Sequence, residues 1–314
     1  MREMFRASTH SWAPDVVFIP YLDYCVHLVA LFGSPFGSVP WSGIVIRPTF
    51  HYRSMGIIAP KAKLSGLRKY AFRRMLRNPY LRGCLTVDEP LSIFVKQNWG
   101  SLGEKLGYLP DPAQPILLQP KSSARRAFGL PADGNVILIY GWLTGRKGIS
   151  AILGALRDPR ISSDTRALLV GRQDSKVKEL MKSELANRLR KEGRLSEHEA
   201  WADEITEANA FSAADIVWLG YENHLQSSGV QIQASMAGVP VLATERGIIG
   251  WYTRKYRCGL TVAVEDASDV VAKIGTLLTT DMFQKDTWHA TVAAIREQHS
   301  IPAAIVQIAR VLNL

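Results

Sequence analysis

The sequence predicts an α/β protein with two domains, each built on a parallel β-sheet. Runs of β-branched residues alternate with longer helical patterns, which is typical of repeated strand–helix–strand units. At 314 residues, the chain is long enough for two domains with a core each. Two such series are separated by a stretch with four prolines, from Leu106 to Pro120, which predicts a hinge or linker.

The first series of predicted elements contains three strands and three helices. The strands are the apolar runs at residues 15–20, 43–47 and 84–87, and the helices are the periodic segments at 24–31, 63–77 and 90–97. Helical spacing makes Leu64, Leu67, Ala71 and Leu76 the predicted buried stripe of the second helix. Because a polar segment precedes the first strand, we expect a first sheet without its initial strand–helix units, through a natural truncation or a misplaced start codon.

The second series is a more regular alternation of helices and strands. Its predicted strands are at residues 135–140, 167–171, 215–219, 240–244 and 261–264. Its predicted helices are at residues 122–128, 175–192, 197–210 and 229–237, and further helices start near residues 149, 268 and 286. Ser300 begins a final helix, in whose first turn Pro302 is tolerated.

The composition excludes several classes of protein. Apolar residues make up 47% of the chain and charged residues 21%, so it can bury large cores and is neither disordered nor fibrous. Its three cysteines stand far apart, which argues against a disulfide framework and a structural zinc site. The segment Met1 to Asp15 lacks the pattern of a signal peptide, and the most apolar window, Val16 to Gly33, contains Asp23 and His27. We therefore expect a cytoplasmic protein without a membrane-spanning helix.

The net charge of +10 is concentrated in one part of the chain. No acidic residue lies between Asp23 and Asp88, whereas this stretch holds ten basic residues. They are Arg47, Arg53, Lys61, Lys63, Arg68, Lys69, Arg73, Arg74, Arg77 and Arg82. A solvated basic face would explain this run, and so would contact with an anionic membrane or an acidic substrate. No stacking-aromatic or helix-turn-helix pattern accompanies the charge, so we expect no nucleic-acid partner and predict a peripheral contact with an anionic membrane.

A first candidate ligand loop runs from Gly141 to Gly148, directly after the predicted strand at 135–140. Open α/β sheets bind ligands at the carboxyl ends of their strands, where this loop lies. Its glycines allow a ligand to approach the backbone, and Arg146 and Lys147 add two cations before a helix. A helix N-terminus with a nearby lysine suits a diphosphate, although an ordinary strand-to-helix turn has the same pattern.

A second candidate loop precedes the predicted helix at 229–237. Ser227 and Ser228 can cap that helix or bind a phosphate together with its N–H groups. From Ser227 to Thr244 the chain reads SSGVQIQASMAGVPVLAT, a helix that leads directly into a strand. An ordinary N-cap before a core helix is the alternative interpretation.

Together, the two loops resemble those of the retaining group 1 (family 4 type) glycosyltransferases with the GT-B fold. Gly141, Lys147 and Gly148 match that family's loop G-R-L-x-x-x-K-G, and the segment 227–244 is similar to its E-x-F-G-x-x-x-x-E-A-M-A-x-G-x-P-V-V-A-T. The resemblance implies a GT-B-like α/β fold in which two Rossmann-type domains face a cleft, the first of them shortened. The implied parts are an acceptor-side domain at 1–118, a nucleotide-sugar-binding domain at 119–298, and a C-terminal helix at 299–314 that packs toward the first domain.

The resemblance also implies a donor-binding set in the second domain. Its members are Gly141, Trp142, Arg146, Lys147, Ser227, Ser228, Gly229 and Gln233. Lys147 would neutralise the donor diphosphate as a catalytic residue, and Gln233 stands where the family has a ribose-binding glutamate. Three positions depart from the family pattern: Trp142 replaces an arginine, and Leu225 and Gln233 replace a pair of glutamates.

In the first domain, the strands near residues 15 and 44 resemble the family's strands D-V-V-x-x-H and V-x-T-V-H-D. The resemblance implies that His51 contacts the sugar as a second catalytic residue. A partly buried structural histidine is the alternative. Asp88, which directly follows the strand at 84–87, is a further candidate at the same edge.

The implied function is transfer of a hexose from a nucleotide-diphospho-sugar to an acceptor hydroxyl. The acceptor would be a cell-envelope glycan or a lipid-linked molecule, and the reaction would proceed with retention and without a metal or other cofactor. The protein would be cytoplasmic, with a peripheral contact at the inner membrane face. The departures at Trp142, Leu225 and Gln233 make a non-catalytic GT-B scaffold or partner subunit the alternative. A nicotinamide-dependent dehydrogenase is excluded, because no GxGxxG with a later acidic ribose ligand follows a first strand.

Overall fold

The computed structural model describes residues 14–312, and the chain divides into two units. Unit 1 comprises Met1–Pro112 together with His299–Leu314, and unit 2 comprises Ala113–Gln298. Each unit contains a parallel β-sheet with helices packed on it. Within the described residues, no helix is both long enough and apolar enough to cross a membrane.

Unit 1 is built on a parallel sheet with the strand order β1-β2-β3-β4 over the described residues. The strands are β1 (Val17–Ile19), β2 (Trp41–Val45), β3 (Leu81–Thr86) and β4 (Leu106–Tyr108). The helices that connect them are α1 (Val26–Phe32), α2 (Ser65–Leu76) and α3 (Glu89–Asn98). Each strand lies beside the strand before it, and the sheet grows in one direction from β1 to β4. Because connections between parallel strands are right-handed, all three helices lie on one face of the sheet. Trp41 of β2, Phe72 of α2 and Leu91 of α3 accordingly share one apolar core.

Two sequence predictions in unit 1 are wrong in part. The predicted linker begins too early, because residues 106–108 form β4, in which Leu106 is fully buried and pairs with Cys84 of β3. The prolines that indicated the linker all follow this strand. The predicted stripe of α2 is also displaced, since Leu64 and Leu67 are exposed and the helix buries Ala71, Phe72, Met75 and Leu76. Only the second half of α2 is packed into the core.

Unit 2 contains a parallel sheet of six strands among the residues described. The strands are β5 (Asn135–Tyr140), β6 (Thr165–Val170), β7 (Leu195–His198), β8 (Ile216–Leu219), β9 (Val241–Thr244) and β10 (Gly259–Val262). The helices are α4 (Lys121–Ala127), α5 (Ile149–Ala155), α6 (Ser175–Met181), α7 (Glu184–Lys191), α8 (Glu204–Ala213), α9 (Gly229–Ala237), α10 (Gly247–Tyr256), α11 (Ala267–Thr279) and α12 (Asp286–Gln298). Apolar cores cover both faces of this sheet.

The strand order of unit 2, β10-β9-β8-β5-β6-β7, reverses direction between β5 and β8. From β5 the chain builds the sheet outward to β7, and it then returns to place β8 on the other side of β5. At such a switch point the loops that follow the two central strands diverge and leave a crevice. The loops after β5 and β8 are the two candidate loops of the sequence.

Two predicted helices of unit 2 are wrong in part. The helix predicted at 175–192 is two helices, because Ser183 starts α7 by accepting a hydrogen bond from the Ala186 N–H at 3.2 Å. The helix predicted at 197–210 begins too early, since residues 195–198 form β7 beside β6. Asp203 then caps α8, accepting from the Thr206 N–H at 2.8 Å. In both places a capping side chain overrides the apolar periodicity.

The last helix, α13 (Ile301–Leu312), belongs to unit 1 and packs on β3 and β4. Ala304 of α13 is buried against Leu85 of β3 and Leu109, with Ile44 of β2 beside them. This cluster lies apart from the core formed with α1–α3, so α13 covers the opposite face of the first sheet. His299, just before α13, contacts the segment that follows β4, because its Nδ1 donates to the Asp111 carbonyl at 2.9 Å.

Candidate functional site

The two candidate loops of unit 2 meet beside Gly141, the first residue after β5. Its φ of +91° lies in the region that favours glycine. A Cβ atom added to Gly141 would lie 3.7 Å from the Lys147 Nζ and 3.6 Å from the Val230 Cγ2 in the first turn of α9. The ammonium group and the start of α9 therefore both approach the backbone of Gly141.

The first loop (Gly141–Gly148) is fixed by contacts with the residues at and after β8. Gly148 has a φ of +59°, and an added Cβ would lie only 2.3 Å from the Gly220 carbonyl oxygen. The Glu222 N–H donates to the Arg146 carbonyl at 2.7 Å, and the Trp218 Nε1 donates to the Lys147 carbonyl at 2.9 Å. These contacts hold the backbone that carries Arg146 and Lys147 in one conformation.

Lys147 is only 5% exposed, and its ammonium group is bound inside the site. The Nζ donates to the Tyr140 carbonyl at 2.5 Å and to the Tyr221 hydroxyl at 3.0 Å. The Tyr221 hydroxyl lies 3.2 Å from the Ser228 Oγ. A chain of polar contacts thus links the cation of the first loop to the residue that precedes α9.

The N-terminus of α9 is the second component of this site. Ser228 occupies the N-cap position, but its hydroxyl contacts Tyr221 and does not cap the helix. Gly229 is exposed, and Ser227 before it is half-buried. The first N–H groups of a helix have no intrahelical partner, so those of Gly229 and Val230 are available to an anion.

Gln233, one turn further along α9, is paired with a carboxylate from another helix. Its Nε2 donates to the Glu207 Oε1 on α8, and the Tyr140 hydroxyl donates to the same oxygen at 3.1 Å. Burial, with the charge of Glu207 beside it, raises the pKa of Tyr140, which therefore stays protonated as a donor. A carboxylate on α8 therefore lies beside the neutral amide of Gln233 on α9.

The remaining predicted donor residues lie at the rim of the same loop. Trp142 and Arg146 are exposed. His224 contacts the Ser227 carbonyl through its Nε2 at 3.2 Å, and its ring packs edge-on against Tyr221. Burial holds the pKa of His224 below its usual range; the Ser227 contact opposes this shift, and the charges of Arg146 and Lys147 add to it. Burial is the main cause of this shift, so His224 is neutral near pH 7.

In unit 1, His51 and Asp88 form a buried pair near the carboxyl ends of β2 and β3. The His51 Nε2 lies 3.1 Å from both carboxylate oxygens of Asp88, and the His51 ring is fully buried. Asp88 also accepts from the Leu91 N–H at 2.8 Å and so caps α3. The sequence had left open whether His51 contacts the sugar or is a structural histidine, and this pair gives it a structural partner. Its catalytic role stays a prediction.

Residues 14–312 contain no group of three or more His, Cys, Asp or Glu side chains arranged to hold a metal ion. The candidate site is instead made of one ammonium group, backbone N–H groups at a helix N-terminus, hydroxyls, and one carboxylate–amide pair. Such a set binds anions and sugar hydroxyls.

Three residues of the site were missed by the sequence analysis. Tyr221 and His224 follow β8 directly, so the rule that selected the first loop could also have selected them. Glu207 could not have been found in this way, because it lies 26 residues before Gln233 on a separate helix. Glu207 and Gln233 come together only because α8 packs beside α9 in the folded protein.

Comparison with known proteins gives a family match over part of the chain and one curated relative. Residues 134–280 match the family described as glycosyl transferases group 1. A curated relative, a phosphatidyl-myo-inositol mannosyltransferase of Mycolicibacterium smegmatis, is 27% identical over 160 residues, or 50% of this chain. The match spans only 39% of that relative's own length.

Solved structures match nearly the whole chain. HepE from Anabaena, solved in complex with UDP, has a TM-score of 0.73 at 18% identity and is matched over 99% of this chain and 81% of its own. Sucrose-phosphate synthase from Thermosynechococcus elongatus has a TM-score of 0.67 at 18% identity, over 99% of this chain and 76% of its own. The two parallel-sheet units therefore have the GT-B fold, as the sequence predicted, and the family match supports a group 1 glycosyltransferase.

Proposed function

We propose that this protein transfers a hexose from a nucleotide-diphospho-sugar to an acceptor hydroxyl. The family match over residues 134–280 supports a glycosyltransferase, and similar structures hold UDP or UDP-glucose. The acceptor in our proposal is a cell-envelope glycan or a lipid-linked molecule. The curated relative, whose name describes transfer of mannose to a phosphatidyl-inositol, supports this choice of acceptor.

The observation that carries the proposal is the convergence of Lys147 and the α9 N-terminus beside Gly141. A diphosphate placed at this glycine would meet the ammonium group on one side and the N–H groups of Gly229 and Val230 on the other. To bind it, the Nζ would exchange its contact with the Tyr140 carbonyl or the Tyr221 hydroxyl for a phosphate oxygen. The ribose hydroxyls would bind the Glu207–Gln233 pair, since a carboxylate accepts and an amide both donates and accepts.

In this proposal, catalysis is mainly electrostatic. As the bond between the sugar and the diphosphate breaks, negative charge grows on the phosphate oxygen that leaves. Lys147, Arg146 and the helix N–H groups would stabilise that charge, and the backbone that carries Arg146 and Lys147 is already held by its contacts with Glu222 and Trp218. We propose that the reaction retains the anomeric configuration, requires no metal or other cofactor, and uses His51 on the sugar side.

The test is a titration of the purified chain with UDP, GDP and dTDP, followed by incubation with the sugar derivatives of whichever binds. We expect one nucleotide to bind and its sugar form to release the free diphosphate when acceptor is present. Activity that survives EDTA would support the metal-free part of the proposal, and the anomeric configuration of the product, read by NMR, would test retention. Failure of all three nucleotides to bind would overturn the proposal.

A non-catalytic GT-B scaffold is the second candidate, and one observation favours it. Lys147 is almost fully buried and already bonded to Tyr140 and Tyr221, as a structural lysine would be. A scaffold of this kind would bind a nucleotide weakly or not at all and would release no diphosphate from any nucleotide sugar. Measured turnover with any acceptor excludes it.

A further inference from the structure

The loop that follows β8 carries a histidine whose contacts fix the position of its ring proton. The His224 Nε2 lies 3.2 Å from the Ser227 carbonyl oxygen. A carbonyl oxygen can only accept, so the Nε2 carries the proton of the ring. The edge-on contact with the Tyr221 ring, at 5.3 Å between ring centroids, supports the same orientation. In the neutral ring, the Nδ1 is therefore an unprotonated acceptor.

Two features keep the Nδ1 available to a ligand. No group among residues 14–312 bonds to this atom, and it is open to solvent. The groups that face the ring are Arg146 and Lys147 of the first loop, the Tyr221 ring and Ser227, none of which is a carboxylate. Burial, with the two cations, lowers the pKa of His224, and the Ser227 contact opposes this only in part. The Nδ1 therefore keeps its lone pair near pH 7.

Other groups that converge beside Gly141 are hydrogen-bond donors. The Lys147 ammonium donates to the Tyr221 hydroxyl at 3.0 Å. Because Tyr221 has no other acceptor within the described residues, its proton points to the Ser228 Oγ at 3.2 Å, and Ser228 keeps its own proton for a ligand. These protons and the first N–H groups of α9 suit the oxygens of a diphosphate. A sugar hydroxyl also needs an acceptor for its own proton, and His224 offers one.

We propose that His224 helps to select the donor sugar, because its Nδ1 accepts a hydrogen bond from one hydroxyl of the transferred hexose. This inference rests on the proposed function. The hexose is bonded to the second phosphate of the donor, so it lies next to the diphosphate that Lys147 and α9 would bind. His224 is at this end of the site, since it contacts Ser227 and Tyr221 and lies within electrostatic reach of Arg146.

The proposal implies a preference among sugars. A hexose that lacks the contacting hydroxyl, or holds it in the other configuration, would leave the half-buried Nδ1 without a partner, and a site built to bond a hydroxyl discriminates in this way. A structural role requires only the Nε2, which holds the Ser227 carbonyl. Because the two roles use different nitrogens, substitutions can remove one and keep the other.

The experiment uses two amide variants of the full chain. His224→Asn places an amide oxygen close to the position of the Nδ1 and loses the donor to Ser227, whereas His224→Gln keeps a donor near the Nε2 position and loses the acceptor. Isothermal titration without acceptor gives their affinities for UDP, GDP and dTDP and for the glucose, galactose and mannose derivatives of these nucleotides. We expect His224→Gln to bind the preferred nucleotide sugar about fivefold more weakly than the wild type and the free diphosphate equally well. His224→Asn should bind both as the wild type does.

His289→Gln is the matched control, because His289 is exposed on α12, and it should change neither affinity. Weaker nucleotide-sugar binding by His224→Asn but not by His224→Gln would assign the ring to the loop alone and overturn the inference. Equal nucleotide-sugar affinity of the wild type and His224→Gln would also overturn it, and so would a loss of turnover with both affinities unchanged. If the wild type binds none of the three nucleotides, the proposed function fails, and this inference fails with it.

The pH dependence gives an independent measurement. Protonation removes the lone pair of the Nδ1, and because the pKa of His224 lies below its usual range, this loss occurs only on the acid side of about pH 6. The ratio of nucleotide-sugar affinity to free-diphosphate affinity should therefore fall between about pH 7.5 and about pH 5.5 in the wild type, relative to the same ratio in His224→Asn. This comparison cancels titration of the ligands and the attraction of an imidazolium for phosphate. Parallel curves for the two proteins would contradict a contact between the Nδ1 and the sugar.

Discussion

Lys147 belongs to the sequence motif of the first loop, and in our proposal its ammonium group binds the leaving diphosphate. Replacing it with alanine would also open a cavity under Tyr221, so Lys147→Met is the sharper variant, since it keeps most of the volume and removes the charge. We expect nucleoside-diphosphate affinity to fall roughly tenfold or more, because one charge-assisted hydrogen bond is lost. Isothermal titration measures this, and a thermal melt checks the fold.

Lys191→Met is the matched control for this prediction. Lys191 is exposed in unit 2, so the same substitution there should leave affinity unchanged. If the Lys147→Met protein binds the nucleoside diphosphate as tightly as the wild type, Lys147 is not part of the donor site.

Glu207 is the second residue on which the donor site can be tested. Glu207→Gln keeps the shape of the side chain and its contacts with Gln233 and Tyr140 but removes the charge. If the carboxylate binds the ribose hydroxyls, affinity for the nucleotide should fall about tenfold while thermal stability changes little. Glu204→Gln, one turn earlier on α8 and exposed, is the control. Equal affinities for wild type, Glu207→Gln and Glu204→Gln would leave the pair with a structural role alone.

At the scale of single elements, the Asp88 carboxylate both caps α3 and pairs with His51. Asp88 accepts from the Leu91 N–H and from the His51 ring, and both contacts are buried. Asp88→Ala removes the cap and leaves a buried imidazole without its partner, which should lower the free energy of unfolding of unit 1 by about 2–4 kcal/mol. Hydrogen exchange of the amides in α3 would measure this loss.

Asp88→Asn separates the effect of the charge from the effect of the cap. An asparagine caps a helix about as well as an aspartate, so α3 should stay protected from exchange. Its amide oxygen can also still accept from the His51 N–H, although without the charge. Exchange in α3 as fast as in the Asp88→Ala protein would show that the charge, and not the cap, holds this helix.

The elements differ in how far the sequence could predict them. Strands such as β5 and β9 follow from continuous apolar runs that are buried on both faces, and they were predicted within about a residue. β7 was missed because its residues, Leu195 to His198, include a glutamate and a histidine, and it is a strand only through pairing with β6. The first half of α2 was misread for a related reason, since periodicity cannot tell how much of a helix reaches the core.

Considered as a whole molecule, the protein has a first unit made from two distant parts of the chain. α13 covers the face of the first sheet that α1–α3 leave open, through Ala304 packed on Leu85. Ala304→Asp would bury a charge at this contact and should destabilise unit 1 by more than about 3 kcal/mol. We expect faster hydrogen exchange in β3 and β4 and unchanged exchange in β5, β8 and β9 of unit 2.

Ile305→Asp is the control for this prediction, because the neighbouring side chain is exposed. It introduces the same charge into the same helix and should leave exchange in β3 and β4 as in the wild type. Equal destabilisation by the two variants would mean that α13 is sensitive to charge itself and not to loss of the packed contact.

The sequence predicted which two loops meet in the candidate site better than it predicted the other residues of that site. The two loops were found because they follow strand ends, a rule that depends on topology alone. The side chains that complete the site came from α8 and from the residues after β8, and their approach is set by packing that no local pattern encodes. The burial of His51 was likewise beyond the sequence, which offered a cleft residue and a structural residue as alternatives.

The position of α13 also determines the order in which the protein is completed during synthesis. Its residues leave the ribosome only after residues 113–298, which takes about 10–40 s at ordinary rates of translation. During that interval the first sheet has Ile44, Leu85 and Leu109 without their cover. The nascent chain thus presents an apolar sheet face to chaperones while unit 2 can already fold, and the unit that is synthesised first is the last to mature.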